Sequence, residues 1–456
     1  MGEPTTLRTS FRPSLRVQAG GDCLSSFGGV AYLRDFEERT ALLRPLLNRL
    51  EDPRSACRVS HRGEDLLRLA IYGRVLGFPD ITDADHLRFD PVLRSVLAPG
   101  GQDRIGEPLA GKSTMHRFLT ETLSRRGNRR ALTEAVLETG LRPLLAKGSL
   151  PRRIYVDLDS TEIEVHGEQE GSRNNGYFKA VCYHPIVLSI GELGTVLGFQ
   201  LRRGNVHTAQ HVVAFVMPLL VRMRKILGAG VEIVVRGDSG FGDPKLLQAL
   251  EKHGFYYIVR LRENARLLSK VERIAKRTSG RPSPTWSQFR YLSFQHGVKS
   301  WGKRRRVVAR AEFEPGKLFA DWTLLVVHLP RNEKRRRVVY NYLQRGKSEQ
   351  VNDVFKNELR GDLMSHHRMR HNQTRALLTS IAQNLLVAFD EATRRRLRPR
   401  RPATIRTKLL LVATTLVRHA RSLVLRLSAP GTRQKIFDRL ARAVEACHPL
   451  AAPAPA

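Results

Sequence analysis

The stretch YVDLDST at residues 155–161 combines a β-strand pattern with two acidic side chains. Successive side chains of a strand point to opposite faces, so Val156 and Leu158 share one face while Asp157 and Asp159 share the other. Such a strand is unusual in a chain with 78 Lys and Arg, 43 Asp and Glu, and a net charge of +35. The pattern predicts carboxylates that hold a cation or act on an anionic substrate.

Positive charge is spread along all 456 residues of the chain. Arginine, which contacts phosphates in a bidentate manner, outnumbers lysine. This balance indicates a nucleic-acid partner, with an anionic membrane surface as the weaker alternative. An arginine-rich composition inherited from a GC-rich genome is the alternative that requires no partner.

The cysteines and the apolar runs exclude several other classes of protein. The four cysteines lie far apart without a Cys-x-x-Cys spacing, so neither a zinc knuckle nor a disulfide framework is expected. No apolar run approaches the roughly 20 residues that span a membrane, and the N-terminal residues lack a signal-peptide core. We therefore expect a cytoplasmic protein with no membrane partner.

The periodicity of the remaining sequence predicts an α/β fold around this strand. Apolar residues recur at helical spacing before it, strands and helices alternate after it, and a segment of alternating apolar and basic residues follows. We expect a mixed sheet flanked by helices, with a β-rich insertion and helical N- and C-terminal regions. The expected divisions are a helical DNA-binding region at 1–150, the first part of the core at 151–262, the β-rich insertion at 263–340, the end of the core at 341–392, a basic helical region at 393–447 and a disordered tail at 448–456.

A second aspartate, Asp238, ends another apolar strand, in VEIVVRGDSGFGD at residues 231–243. Strand ends next to glycine present side chains at the edge of a sheet, so Asp238 is a natural partner for Asp159. The alternative is that Asp238 caps the following turn or helix. Asp243, directly before Pro244, fits that capping role better.

A third acidic residue, Glu349, lies in the basic segment YLQRGKSEQVNDVFK. At about 100° per residue, Tyr342, Arg345, Glu349 and Lys356 share an arc of about 60° on one helix face. Gly346 weakens this geometry, because the helix can begin after it and leave Tyr342 and Arg345 outside.

Carboxylates from two strands and one helix suit a pair of Mg²⁺ ions about 3.5–4 Å apart, for which Mn²⁺ can substitute. Arg345 and Lys356 would then contact phosphates rather than form structural ion pairs. Unrelated surface acids are the alternative on spacing alone. His207 and His211 have no third ligand near them in the sequence, so we interpret them as surface or DNA-facing residues.

Two further basic segments are candidates for DNA contact. Ser113 is placed to cap a helix that begins near Thr114 and carries Arg117, in the manner of a recognition helix. An ordinary surface helix is the alternative. The basic segment at 394–408 would contact the DNA backbone. Its first members are Arg394, Arg395 and Arg396.

Together these motifs resemble those of bacterial insertion-sequence DDE transposases of the cut-and-paste group. The segment at 342–356 matches their Y-x-x-R-x-x-x-E-x-x-x-x-x-x-K signature, and DLDST and RGDSGF resemble their first and second aspartate motifs. ITDADHLRFDP, LAGKSTMHRF and HNQTRALLTSIAQNLL are also similar to segments of these proteins, so the resemblance covers nearly the whole chain. One departure is the polar RGKSE, where many relatives have an apolar residue directly before the glutamate.

The resemblance implies an RNase H-like catalytic core, with the β-rich insertion before the last catalytic helix. It assigns catalysis and metal binding to Asp159, Asp238 and Glu349. Asp159 is preferred because the first aspartate of the family directly precedes a small residue and a threonine. Asp157 remains the alternative.

The resemblance further implies that Tyr342, Arg345 and Lys356 contact phosphates at the end of the element. In related transposases a tryptophan of the insertion stacks on a base flipped out of the duplex. Trp322, shortly before the signature, matches that position best among the three tryptophans. A tryptophan packed against its own strands is the alternative.

The implied activity is Mg²⁺-dependent cleavage at both ends of a mobile element, followed by joining of the 3′-OH ends to target DNA. The partners would be double-stranded DNA of the terminal inverted repeats and of the target, bound by a homodimer at the bacterial nucleoid. An RNase H-like nuclease without strand transfer is one alternative, although such proteins usually lack a large strand insertion. An inactive DNA-binding protein derived from a transposase is the other, and the intact acidic and basic motif positions speak against it.

Overall fold

The computed structural model describes residues 6–8, 16–18, 23–55, 59–97, 107–274, 285–317, 319–394, 400–419 and 422–449. The strands are β1 Thr6–Arg8, β2 Arg16–Gln18, β3 Leu24–Ser25, β4 Arg153–Ser160, β5 Ile163–Glu164, β6 Arg173–Asn175, β7 Ala180–Tyr183, β8 Ile186–Ile190, β9 Thr195–Gln200, β10 Glu232–Gly237, β11 Tyr256–Arg260, β12 Gln288–His296, β13 Arg305–Phe313, β14 Asp321–His328, β15 Thr414–His419 and β16 Ser422–Leu427.

The helices pack on both faces of the central sheet and at one of its edges. They are α1 Val30–Thr40, α2 Arg44–Arg49, α3 Gly63–Leu76, α4 Ala84–Leu87, α5 Pro91–Leu97, α6 Lys112–Arg117, α7 Arg126–Leu145, α8 Val212–Leu227, α9 Pro244–Lys252, α10 Ala265–Ile274, α11 Arg335–Leu343, α12 Lys347–Asp353, α13 Met369–Thr393, α14 Pro402–Ile405 and α15 Thr432–Glu445.

An eight-stranded mixed sheet forms the centre of the fold, in the order β12-β13-β14-β11-β10-β4-β8-β9. Strands β4, β10 and β11 are parallel, and β8 is antiparallel to both β4 and β9. The predicted RNase H-like mixed sheet flanked by helices is confirmed. The β-rich insertion does not form a separate sheet. Its strand β14 pairs antiparallel with β11, and the same sheet then continues outward through β13 to β12.

Both faces of β4 are covered by helices. Val156 and Leu158 are fully buried in the same cluster as Val216 of α8. Tyr155 packs on the opposite side of the sheet, against the cluster that contains Val338 of α11. The predicted alternation of faces is therefore correct, and the face that carries the aspartates is also closed by helices.

The helical N-terminal region packs around the long helix α13. Phe36 of α1 makes an edge-to-face contact with Phe389 of α13, with ring centroids 5.5 Å apart. Tyr32 of α1 stacks on Phe437 of α15 at 5.8 Å. Helix α7 packs against both β9 and α13. The two ends of the chain thus share one apolar core beside the sheet.

The prediction of a helical region at 393–447 is wrong in part, because this region also contains two strands. β15 and β16 form an antiparallel hairpin, and β15 also pairs with β3 near the start of the chain. Thr414, Thr415 and Val417 are β-branched residues that favour a strand. The helix α15 does form as expected, whereas residues 450–456 of the predicted tail lie outside the described residues.

A small sheet between β4 and β8 was not predicted. Its strands pair in the order β5-β7-β6. Within the described residues, no helix is long and apolar enough to cross a membrane. Cys23, Cys182 and Cys447 are free thiols, and Cys57 lies outside the described residues.

Candidate active site

Two aspartates lie side by side at the ends of neighbouring parallel strands. Leu158 of β4 is level with Gly237 of β10, so the next residue of each strand, Asp159 and Asp238, is presented at the same end of the sheet. Asp159 is 9% exposed, and its burial raises the pKa of its carboxyl. Arg345 lowers this pKa and Asp238 raises it, which leaves it above its usual range.

Asp238 caps the 3₁₀ turn Ser239–Phe241, as the alternative interpretation suggested, whereas Asp243 caps α9 with two hydrogen bonds. The Oδ1 atom of Asp243 accepts the backbone N–H of Lys245 at 2.7 Å and of Leu246 at 3.2 Å, so this residue caps α9 as predicted. The Asp238 carboxylate accepts one backbone N–H, from Gly240 at 2.8 Å, and no other hydrogen bond to this carboxylate comes from the described part of the chain. Asp238 therefore keeps carboxylate capacity for a ligand.

Asp157, the alternative first carboxylate, is occupied by a buried ion pair. Arg236 of β10 donates from Nε to Asp157 Oδ1 at 2.6 Å and from Nη2 to Asp157 Oδ2 at 2.8 Å, and both side chains have no exposed surface. Arg236 also pairs with Glu192 at 2.8 Å and donates to the Asn341 carbonyl at 2.7 Å. This geometry assigns Asp157 to holding β4, β10 and α11 together.

The helix α12, which carries Glu349, contacts Asp159 through two other side chains. Ser348 Oγ donates to Asp159 Oδ2 at 3.3 Å, and Asn352 Nδ2 donates to the same oxygen at 3.1 Å. Glu349 lies within one turn of both residues, and its side chain is exposed. The helix that carries Glu349 is thus anchored directly on Asp159.

The helical segment around Glu349 is broken, unlike the single helix assumed from the sequence. α11 ends at Leu343, a 3₁₀ turn covers Gln344–Gly346, α12 follows, and a π-helical turn covers Val354–Glu358. The arc of about 60° that was calculated for a continuous α-helix therefore does not apply. Gly346 precedes the first residue of α12, as its place in the sequence suggested.

Arg345 and Lys356 form ion pairs, contrary to the expectation that they would not. Arg345 Nη1 lies 3.7 Å from Asp159 Oδ1, and Lys356 Nζ lies 3.0 Å from Glu162 Oε1. Burial lowers the pKa of Arg345, but Tyr342, Asp159 and Asp238 together raise it above its usual range. In the described part of the chain, the anionic partners of both cations are carboxylates.

The aromatic candidates differ in exposure. Tyr342 is 6% exposed and packs in the cluster of α11. Trp322, expected to stack on a base, is 7% exposed and packs against Leu267 and neighbouring apolar residues, so a base cannot reach its ring without rearrangement. Trp322 stands two residues before the buried Leu324 on the same face of β14, which explains this burial. Trp301 is also buried, whereas Trp286 is 68% exposed.

Arg117 lies at the exposed end of the short helix α6, beside a cleft of about 640 Å³. The helix begins at Lys112 rather than near Thr114, so Ser113 is not its cap. Asp85 supplies that cap from α4, because its Oδ1 accepts the backbone N–H of Lys112 at 2.9 Å. α6 continues directly into a π-helical turn at Phe118–Leu123, and a recognition role for this segment stays a prediction.

The other basic and histidine candidates lie away from the aspartates in sequence. Arg394 pairs with Asp390, at 3.5 Å, and with Glu391 at the end of α13. Arg395 and Arg396 lie outside the described residues. His207 and His211 are exposed, and both precede α8, which begins at Val212.

The three predicted carboxylates do not form a compact cluster. Among the residues that the structure describes, no three His, Cys, Asp or Glu side chains are grouped closely enough to hold a metal ion. The chemistry of Asp159 and Asp238 nevertheless fits a divalent cation, because both are hard oxygen donors and the charge of Asp238 helps to raise the pKa of the buried Asp159, which a nearby cation would offset. Arg345 supplies the only such charge within 4 Å of Asp159 in the described chain.

Three residues of this site were missed from the sequence. Ser348 and Asn352 carry no signal beyond their place beside Glu349. Arg236 does carry one, because a charged residue interrupts the apolar VEIVV strand two positions before Asp238, just as Asp157 stands two positions before Asp159. Charges at the same height on neighbouring strands predict a buried pair.

The sheet order is that of an RNase H-like core, with the two aspartates at its strand ends. The family described as "Transposase DDE domain group 1" matches residues 7–449, and the chain belongs to this family of DNA transposases. No curated protein matches the chain. A solved structure, "Cryo-EM structure of piggyBac transposase synaptic complex with hairpin DNA (SNHP)", aligns with a TM-score of 0.38 and 12% identity over 92% of this chain and 85% of that chain.

Proposed function

We propose that the protein is a cut-and-paste transposase that cleaves both ends of its element and joins the 3′-OH ends to target DNA. The observation that carries this proposal is the juxtaposition of Asp159 and Asp238, on which the helix of Glu349 is anchored through Ser348 and Asn352. No covalent protein–DNA intermediate is required, because positioned carboxylates suffice for in-line attack by water or a hydroxyl.

The carboxylates of Asp159, Asp238 and Glu349 are the proposed holders of two Mg²⁺ ions, or of Mn²⁺ in their place. When bound, these ions activate the attacking water or hydroxyl and stabilise the leaving oxygen. Asp159 and Asp238 contribute closely spaced negative charge in a largely buried position. Glu349 approaches from an exposed helix turn, which leaves its side chain free to move towards the aspartates.

The basic residues of the signature are proposed to bind DNA phosphates. Arg345 and Lys356 each hold a carboxylate at the edge of the site, and a phosphate can replace that carboxylate as the partner. Tyr342 supports Arg345 from a buried position. Within the insertion, the exposed Trp286 replaces Trp322 as the tryptophan proposed to stack on a base.

We further propose that outlying segments bind the ends of the element and its target. Arg117 and the segment that begins at Arg394, including Arg395 and Arg396, are the proposed backbone contacts. The regions 1–150 and 393–447 would serve mainly DNA binding, and the parts of the core at 151–262 and 341–392 would serve catalysis. A homodimer is proposed because two ends must be cut together, and the protein would act at the nucleoid.

A strand-transfer assay tests this function. The protein would be incubated with Mg²⁺, a supercoiled plasmid and a duplex that carries the pre-cleaved end of its own element. Joining of the duplex to the plasmid is the expected result. Cleavage of intact ends without joining would indicate a nuclease, and binding without either reaction would indicate a DNA-binding protein that has lost its chemistry.

A further inference from the structure

A second basic site lies on the far edge of the central sheet, at a cleft of about 550 Å³. The first turns of α7 and α13 form two of its walls, and Phe199 to Leu201 of β9 form the third. Four arginines line it. They are Arg129, Arg130, Arg368 and Arg370.

Most of this positive charge has no anionic partner. Arg129, Arg368 and Arg370 form no ion pair with any carboxylate in the described ranges. The Nε atom of Arg129 is buried without a hydrogen-bond partner. Glu170, which also lines the cleft, accepts the backbone N–H of Met369 at 3.0 Å instead of pairing with an arginine.

The two helix ends increase this excess of positive charge. α7 and α13, of 20 and 25 residues, have no acidic residue in their first turns. Helix N-termini carry partial positive charge, so cations there are unfavourable unless an anion is present. Burial lowers the pKa of Arg129, and the charges of Arg370 and Arg126 lower it further. The arginines of the cleft and the two helix N-termini therefore repel one another, and a bound anion would reduce this repulsion.

The position of the cleft relates it to the aspartates. Asp159 is level with Val187 of β8, and Val187 is level with Phe199 of β9. Two strand spacings separate Phe199 from Asp159, or about 10 Å across the sheet. A DNA strand that reaches the aspartates can therefore pass the arginines within a few nucleotides.

We propose that the cleft formed by Arg129, Arg368 and Arg370 binds phosphodiester groups of the DNA backbone beside the catalytic site. This inference rests on the proposed function, since it takes DNA as the ligand. Arginine suits such a ligand, because its planar donors grip phosphate oxygens in pairs. The cleft would fix the DNA next to the bond to be cut without reading its sequence.

A salt-dependence experiment with Arg129→Gln/Arg370→Gln tests the cleft. Binding to a labelled duplex from the element end would be measured by fluorescence anisotropy between about 50 and 200 mM salt. The slope of log K against log salt should become shallower by about 0.9 for each phosphate that the variant no longer neutralises. The matched control is Arg152→Gln, whose exposed guanidinium pairs with Glu232 at the opposite end of β4 from Asp159 and whose slope should match the wild type.

A second readout separates a binding role from a structural one. Without DNA, the double variant should melt at the same temperature as the wild type or higher, because it loses unpaired cations. A folded variant with an unchanged salt slope, or a variant that no longer folds, would overturn only the proposal that this cleft binds phosphates. Failure of the wild-type protein to bind the duplex would overturn the transposase proposal as well.

Discussion

Asp157 and Asp159 stand two residues apart in one strand, yet their surroundings assign them different tasks. Asp157 is closed off by its bidentate pair with Arg236. Asp159 lies at the strand end beside Asp238, with Asn352 and Arg345 around it. The pattern of β4 predicted the acidic face, but it could not distinguish the two, because the partner of Asp157 comes from a strand almost 80 residues later.

Removing one member of the buried pair should destabilise the fold. Asp157→Ala removes the bidentate partner of the buried Arg236 and leaves it only the partly exposed Glu192, so we expect a loss of about 3–5 kcal/mol in the free energy of unfolding, measured with urea. The double variant Asp157→Leu/Arg236→Met should recover most of that loss, because no buried charge remains. Equal stability of Asp157→Ala and the wild type would show that the pair is not a structural support.

The edge strand β9 illustrates how an element depends on side chains far away in the sequence. Asn384 of α13 accepts the Val196 N–H at 2.8 Å and donates to the Val196 carbonyl at 2.7 Å. Three helical turns earlier, Gln373 bonds Leu201 N–H at 2.6 Å and the Phe199 carbonyl at 2.9 Å. These two amides replace the missing neighbour strand, which explains polar residues in an otherwise apolar helix.

Asn384→Ala should therefore leave buried backbone groups of β9 without partners. We expect a loss of about 2–3 kcal/mol in the free energy of unfolding and faster hydrogen exchange at the Val196 amide. The control Asn357→Ala removes an exposed amide that bonds Asp353 and should change stability by less than about 0.5 kcal/mol. Equal effects of the two substitutions would contradict the edge-protecting role.

The segment before α13 should make stability depend on pH through His366. Burial, Arg375, His371 and His116 lower the pKa of His366 to about 4, although Asp80 opposes this shift. An unfolded histidine binds a proton below about pH 6.5. The folded state then binds fewer protons than the unfolded state between about pH 4 and 6.5, so stability should fall as the pH is lowered through that range.

His366→Gln should weaken this acid-side loss of stability. The measurement is the urea midpoint at several pH values between about 4 and 7.5, compared with His367→Gln, an exposed neighbour bonded to the Glu168 carbonyl. Identical pH profiles for His366→Gln and the wild type would show that another group causes the loss.

Local patterns predicted the strands β4 and β10, the cap Asp243 and the broken helix start at Gly346. They failed where distant partners decide the structure. The helix α6 is capped by Asp85 from another helix rather than by Ser113, and part of the helical region predicted at 393–447 is a hairpin that pairs with β3 near the start of the chain. Such contacts leave no periodic signal, because the partner lies outside any local window.

Across the whole molecule, the two ends of the chain pack against each other beside the central sheet. Phe437 of α15 is 4% exposed and stacks on Tyr32 of α1. Phe437→Ala should cost about 3–5 kcal/mol and speed hydrogen exchange in α1 as well as α15. Its neighbour Ile436 is 40% exposed, so Ile436→Ala should change neither the stability nor the hydrogen exchange of α1. Unchanged hydrogen exchange of α1 in Phe437→Ala would contradict this coupling.

The catalytic pairing of Asp159 with Asp238 is tested most directly by cleavage of a plasmid that carries the element with its own flanking DNA. The wild type would be assayed with Mg²⁺ and with EDTA, beside Asp238→Asn and the matched control Asp243→Asn, which keeps a good helix cap. We expect double-strand breaks at both ends that require Mg²⁺, persist in Asp243→Asn and vanish in Asp238→Asn while DNA binding is retained. Cleavage by Asp238→Asn at the wild-type rate would contradict the assignment of the active site.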